Sequence, residues 1–412
     1  MVTRRPEEFS FRSAVSTWST GLNSDSPFHL IEDGVFFASF DKFYLTKQKN
    51  FHYNSNEIAN DCGDFPMENE RKVTINDIAR ILGVSSSTVS RAISGKPGVN
   101  RDLRNKILSM ARELGYIPNI AAKSLKTSKT KTIGLLVSDI KNPFFQDFMS
   151  GLENVLFHRG YKFIVCNTDE DIKKEEIYLK WLLEHGVDGI VAAPLMDING
   201  NNNRTLYRKA RKFGIKVVFY DRLLESNDDF DSITIDNRQA IFEAVEYLKK
   251  LGHRELGIYL YKSNIYTVKE RLEGFKRACE IFDLPFNQNW VIDGATFSKE
   301  EDYKKAIVDV LSSKHRPSAI LATNYFITRM ILKAAKDLDL KVPDELSIVG
   351  FDDIVENELV TPTITTIKQP VIEMGKIAGT LILDLIDNKS SRISKIVLKT
   401  ELVIRESVRK IA

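Results

Sequence analysis

The chain has 412 residues, 43% of them hydrophobic and 28% charged, which is the profile of a soluble globular protein with room for two or three domains. It contains no apolar run long enough to form a membrane-spanning helix, and its first residues lack the charged start and apolar core of a secretory signal. The net charge of +3 is unevenly placed: residues 68–132 hold 13 Lys and Arg against 5 Asp and Glu, a local +8, while residues 1–67 carry −3 and residues 133–412 carry −2. A short basic block on a near-neutral body is the electrostatic footprint of a nucleic-acid-binding module.

Residues 1–66 sustain neither a helical nor a strand period, although they include Phe9, Trp18, Phe36 and Phe40. They are expected to be an N-terminal extension that is either unstructured or untranslated, with translation starting at Met67. From Lys72 the pattern sharpens. Thr74 is placed to cap a helix carrying Ile75, Ile78, Ala79 and Leu82, which Gly83 ends. Ser85 is placed to cap a second helix with Val89, Arg91 and Ile93, and Asn100 a third with Leu103, Ile107 and Met110, closed by Gly115. Three short helices with a tight glycine turn between the first two make a helix-turn-helix, assigned to residues 72–116. A short segment after Pro118 and the polar, basic run Thr127–Thr132 form a hinge and linker, 117–131.

Strands and helices then alternate through residues 132–412. Apolar strand-like runs at Ile133–Val137, Phe163–Cys166, Gly189–Ala193, Val217–Tyr220, Leu256–Tyr261, Ala319–Ala322 and Leu346–Phe351 are separated by helix-length amphipathic stretches such as Phe144–His158, Lys173–His185 and Val268–Phe282. Ser232–Asp236 is a short strand-like exception to the alternation. The pattern predicts parallel sheets with helices on both faces, and some 280 residues of it exceed one compact sheet, so two lobes are expected.

Particular strings narrow this further. Val73-Thr-Ile-Asn-Asp-Ile-Ala79, Gly83-Val-Ser85 and Thr88-Val-Ser-Arg91 resemble the DNA-binding head of the lactose-repressor/galactose-repressor family. Gly115-Tyr-Ile-Pro-Asn119 with Ala122 and Leu125 resembles that family's hinge. Asn142-Pro-Phe-Phe145, Glu270-Arg-Leu-Glu-Gly274, Ser347-Ile-Val-Gly-Phe-Asp-Asp353 and Thr365-Thr-Ile-Lys-Gln-Pro370 resemble its core, and the likeness covers about residues 72–408. It implies an α/β protein: a three-helix head and hinge helix, then a two-lobed core like a periplasmic binding protein. It also implies a DNA-binding transcription regulator, a repressor of carbohydrate-utilisation genes in the cytoplasm, whose DNA affinity is set by a small sugar.

The chemistry of these residues fits. A helix opening on Ser86 and Ser87, with Arg91 one turn on, offers hydroxyls and a guanidinium to base edges in the major groove. Ser85, Thr88 and Ser90 suit capping, packing or phosphate contact, and so does Thr74. By resemblance, two hinges fold together on the minor groove with Leu125 wedged between base pairs, Asn119 and Ala122 beside it. A near-palindromic double-stranded operator and a homodimer or higher oligomer follow from one short helix-turn-helix reading few base pairs.

Sugars are held by planar hydrogen-bonding groups and aromatic faces. Such groups stand near predicted strand ends: Asn142, Phe144 and Phe145, Asp221 with Arg222, Asn324, Asp352 and Gln369, while Arg271 lies within a helix. They match the family's sugar-contacting positions residue by residue, although Asp221–Arg222 could equally be a structural ion pair. Asp221 and Asp352 balance Arg222 and Arg271, which favours a neutral monosaccharide. Tyr325 after Asn324, and Tyr261-Lys262 where a glycine pair is common, depart from the family pattern and bear on pocket size. Lys262 and Lys269 would favour a phosphorylated ligand if they turned inward.

Other classes fit less well. No Gly-x-Gly and no Gly-x-x-x-x-Gly-Lys-Ser/Thr string occurs, and no histidine sits in a triad or metal motif, so an enzyme is not expected, nor a cofactor or metal. The three widely spaced cysteines, Cys62, Cys166 and Cys279, form no Cys-x-x-Cys pair. A sugar transport receptor would share the core but have no use for the basic head. The main alternative is a global carbon regulator whose core answers to a phosphorylated carrier protein.

Overall fold

The computed structural model describes residues 73–117, 129–224, 229–353, 359–389 and 392–411. The chain divides between Arg91 and Ala92 into two compact units. In the first, α1 (Ile75–Leu82) is capped by Thr74: its hydroxyl oxygen accepts from Asp77 N at 3.4 Å, and Asp77 Oδ2 accepts from Thr74 N at 2.9 Å, a reciprocal box. The helix stops at Gly83, whose φ of 64° is left-handed and suits a residue without Cβ. Ser85 opens α2 (Ser86–Ile93) by accepting from Thr88 N at 3.1 Å. In the second unit, Asn100 caps α3 (Arg101–Glu113) through Asp102 N at 2.8 Å, and Ile107 and Ala111 are buried.

Two six-stranded sheets form the rest. β1 (Thr132–Val137), β2 (Lys162–Asn167), β3 (Gly189–Ala192), β4 (Lys216–Tyr220), β5 (Asp231–Ile235) and β11 (Lys395–Leu398) make the first, in the order β11-β5-β4-β3-β1-β2. β6 (Leu256–Leu260), β7 (Val291–Asp293), β8 (Ala319–Ala322), β9 (Ser347–Phe351), β10 (Thr365–Lys368) and β12 (Glu401–Val403) make the second, in the matching order β12-β10-β9-β8-β6-β7. Each lobe therefore repeats the same doubly wound plan. The expectation of purely parallel sheets needs one correction: β10 and β12 run antiparallel, since the chain returns through β12 as a short edge strand. The exceptional Ser232–Asp236 segment is an ordinary parallel strand, β5, paired with β4 and β11.

Helices cover both faces. Along β1, Leu135 and Val137 share a core with Phe148 and Leu152 of α4 (Pro143–His158), while Leu136 belongs to the core of α5 (Ile172–Glu184) and α6 (Arg204–Lys212). That split is the two-residue period of a strand buried on both sides. In the second lobe, α7 (Asn237–Lys250) and α8 (Tyr266–Phe282) cover one face, and α9 (Glu300–Leu311) and α10 (Tyr325–Asp337) the other. The chain passes between lobes three times: after β5, after β10 and after β11. The second passage leads into α11 (Val371–Ile386), which returns to the first lobe and lies against α4 so closely that a Cβ on Gly375 would stand 2.2 Å from Phe148 O.

Candidate functional site

In the first unit, Ser86, Ser87 and Arg91 are solvent-exposed on α2. Ser87 and Arg91 are four residues apart and so share a face. Ser90 is half-buried, and Ser85 is engaged as the cap, its Oγ also 2.8 Å from the hydroxyls of Ser87 and Thr88. Thr74 is likewise committed to α1, donating its hydroxyl to Asp77 Oδ2 at 2.6 Å. Asn119, Ala122 and Leu125 lie outside the described residues.

Between the two lobes lies a cleft of about 430 Å³, lined by all nine side chains picked out as sugar contacts: Asn142, Phe144, Phe145, Asp221, Arg222, Arg271, Asn324, Asp352 and Gln369. The repeated topology explains the convergence, because strand carboxyl ends of both sheets face the same crevice. Asn142 follows β1 and Asn324 follows β8, strands at different places in the repeated plan, yet the two play the same local part. Each caps the helix that follows its strand, accepting from Phe144 N at 3.0 Å and from Ile327 N at 2.9 Å. Asp221 ends β4 and Asp352 ends β9, both left-handed at φ 59° and 66°. Residues other than glycine rarely adopt this backbone, and such outliers cluster where a side chain must be aimed into a ligand site.

Arg271 and Gln369 come from beside the passages between lobes. Arg271, on α8, is buried, donates Nε to Asn237 Oδ1 at 2.8 Å and Nη1 to Thr323 O, and lays its guanidinium 3.4 Å from the Phe351 ring centroid. Burial lowers its pKa to about 10 against the pull of Asp352 and Asp221, so it stays cationic at neutral pH. Burial pushes the carboxyls of Asp221 and Asp352 up; Arg222 and Arg271 oppose this at Asp221, Arg271 and Gln369 at Asp352. Gln369 donates Nε2 to Asp352 Oδ1 at 2.6 Å, which leaves its Oε1 buried with no partner among the described residues. An orphaned acceptor of this kind costs about 1–3 kcal/mol until a donor reaches it. A ligand hydroxyl is such a donor.

The sequence motifs missed Glu170. It follows β2 with φ 57° and holds Arg222 in a two-pronged ion pair at 2.7 and 2.8 Å, closer than the 3.4 Å between Arg222 and Asp221. With half-buried Glu170 the expected two acids against two bases become three against two, while the whole charged lining of the cleft counts five acids against six bases. The signal was the strand end: Asn167-Thr-Asp-Glu170 stands where the other contacts stand, but belongs to no recognised string. Tyr261, Lys262 and Tyr325, the departures from the family pattern, all line the cleft, with Phe297, Tyr303 and Phe326 beyond them. Lys269 is exposed and does not line it. Among the described residues, no group of three or more His, Cys, Asp or Glu is placed to hold a metal ion, and no helix is long and apolar enough to cross a membrane.

Two family models match the chain: "bacterial regulatory proteins, lacI family" over residues 74–119 and "periplasmic binding protein-like domain" over residues 245–408. The HTH-type transcriptional repressor PurR of Photobacterium profundum is 33% identical over 336 residues, 82% of this chain and 98% of its own. A LacI family transcriptional regulator from Enterococcus faecium, solved with bound ribose, is 27% identical with a TM-score of 0.59, covering 68% of this chain and 100% of that one. The lac repressor dimer bound to operator and the anti-inducer ONPF shares the fold, with a TM-score of 0.73 at 22% identity over 82% of this chain and 100% of that one.

Proposed function

Because this chain belongs to the LacI family of bacterial regulatory proteins, and is a DNA-binding transcription regulator, we propose that it represses carbohydrate-utilisation genes under the control of a small neutral sugar bound between its lobes. The observation that carries the sugar is the cleft: nine side chains from both lobes, two of them beside the interlobe passages, converge on one cavity rich in planar hydrogen-bonding groups and aromatic rings. The charged side chains lining the cleft stand close to balance, five acids against six bases, which suits a neutral ligand.

Residues 72–116 form the head in this reading, 117–131 the hinge with Asn119, Ala122 and Leu125 at the minor groove, and 132–412 the sensor. Ser86, Ser87 and Arg91 read bases while Thr74, Ser85 and Ser90 position the helix or touch phosphate. Two copies bind a near-palindromic operator in the cytoplasm, and sugar-driven closure of the lobes changes the spacing of their hinges. The sensor performs no catalysis. The test is a thermal-shift screen of the full chain against a panel of neutral and phosphorylated mono- and disaccharides, followed by operator binding with and without the hit. A sugar at about 100 times its Kd adds roughly 2.7 kcal/mol. A chain stabilised only by phosphorylated sugars, or by no sugar, refutes the reading.

A further inference from the structure

The main cleft has a neighbour. A second cavity of about 210 Å³ lies between the first lobe's loop after β3, Pro194–Ile198, and the second lobe's loop after β6, Lys262–Tyr266. It shares Glu170, Arg222, Lys262 and Ile265 with the main cleft, so the two meet across the Glu170–Arg222 ion pair. At this size it falls below the roughly 300–1,000 Å³ of pockets that bind a ligand on their own, whereas the main cleft falls inside that range. The annex is therefore an extension of the first site.

Its chemistry is also that of a neutral hydroxylated group. Glu170 is neutralised by Arg222, and the remaining charges, Asp197 and Lys262, are opposite in sign. Asn264 donates Nδ2 to Met196 O of the opposite lobe at 3.1 Å; a carbonyl only accepts, so the amide nitrogen must face it and Oδ1 is left buried with no partner among the described residues. Tyr266, half-buried at the mouth of α8, adds a ring face suited to the C–H surface of a sugar. We propose that the annex is a second glycosyl subsite, and that the effector is a disaccharide or longer saccharide whose first ring sits in the main cleft and whose second hydrogen-bonds Asn264. This rests on the sugar reading above and extends it from one ring to two.

Isothermal titration of the full chain tests it, with maltose, cellobiose, lactose, sucrose, trehalose and xylobiose set against glucose, galactose, fructose and xylose. One disaccharide should bind at least about tenfold tighter than its own monosaccharides, a difference of about 1.4 kcal/mol. Ala295→Phe, which fills the annex away from the ion pair, should abolish that gain and leave the monosaccharide Kd within about twofold; Asn264→Leu should do the same by removing the acceptor. Monosaccharides binding as tightly as every disaccharide, or both variants weakening one-ring and two-ring ligands equally, overturns the annex alone. Absence of binding by any saccharide overturns the sugar reading beneath it.

Discussion

Glu175, on α5 behind the loop that lines the annex, is fully buried, and its carboxylate accepts from Leu195 N at 3.1 Å, Asn203 Nδ2 at 2.7 Å and the Tyr207 hydroxyl at 2.7 Å. Burial outweighs these three donors and the nearby Arg222, and lifts the carboxyl from its ordinary 4.5 to about 7. An unfolded chain releases this proton near 4.5, whereas the folded chain holds it until near 7. Between those values the folded state binds the extra proton, so Glu175 lowers stability progressively as pH rises through that window. A window of roughly 2.5 in pH at about 1.4 kcal/mol each sets an upper scale of about 3.5 kcal/mol, of which the part above pH 5 is about 3 kcal/mol. Glu175→Gln removes the titration. It also turns an amide donor toward Asn203 Nδ2, itself a donor, which costs about 1–3 kcal/mol at any pH. Urea melts at pH 5 and pH 8 should therefore show the variant clearly weaker at pH 5 and the gap shrinking by up to about 3 kcal/mol at pH 8. A gap of constant size across that range would refute the buried titration.

Arg271→Ala should abolish the sugar-induced rise in Tm while leaving operator affinity within about twofold, since the guanidinium holds cleft groups and is remote in sequence from the basic head; an intact response in the folded variant would remove Arg271 from the site. Gly375→Val should destabilise the chain by about 1–3 kcal/mol or more in urea melts, because the Phe148 carbonyl it meets is backbone and cannot rotate away. Arg91→Ala should weaken operator binding by about 1–3 kcal/mol with Tm unchanged, because the side chain is exposed; an equal loss on every DNA sequence would assign it to phosphate. Replacing Arg405, which grips Asp353 at 2.7 and 2.9 Å next to cleft residue Asp352, with Ala should raise the sugar Kd without touching the sugar; an unchanged Kd would show that Asp352 is held by its own strand.

The alternation of strands and helices was legible because a strand buried on both faces reads as a continuous apolar run, and its flanking helices keep a 3.6-residue period. The head was legible through its caps: Thr74, Ser85 and Asn100 each satisfy the amides their position predicts. Short edge strands such as β7 and β12, three residues each, are set by pairing partners far along the chain and carry no period of their own. α11 is harder for another reason. Val371–Ile386 is apolar on nearly every side, so the sequence shows burial without showing which lobe buries it; the answer lies in the close approach at Gly151, Gly375 and Gly379. In the cleft, motif residues were found as a set, while Glu170 needed the knowledge that β2 ends beside β4's Arg222.

The return of α11 to the first lobe has a consequence for synthesis. A ribosome delivers β1 to β5 and α4 long before residue 371, so Phe148, Leu152 and Leu156 on α4 must wait for their covering helix until almost the whole second lobe has been made. The half-finished lobe exposes apolar surface for roughly 10–40 s at about 5–20 residues per second. Late truncation therefore strikes the early lobe: a stop codon near residue 370 would spare every strand of the second sheet except β12, yet deprive the first lobe of α11 and β11.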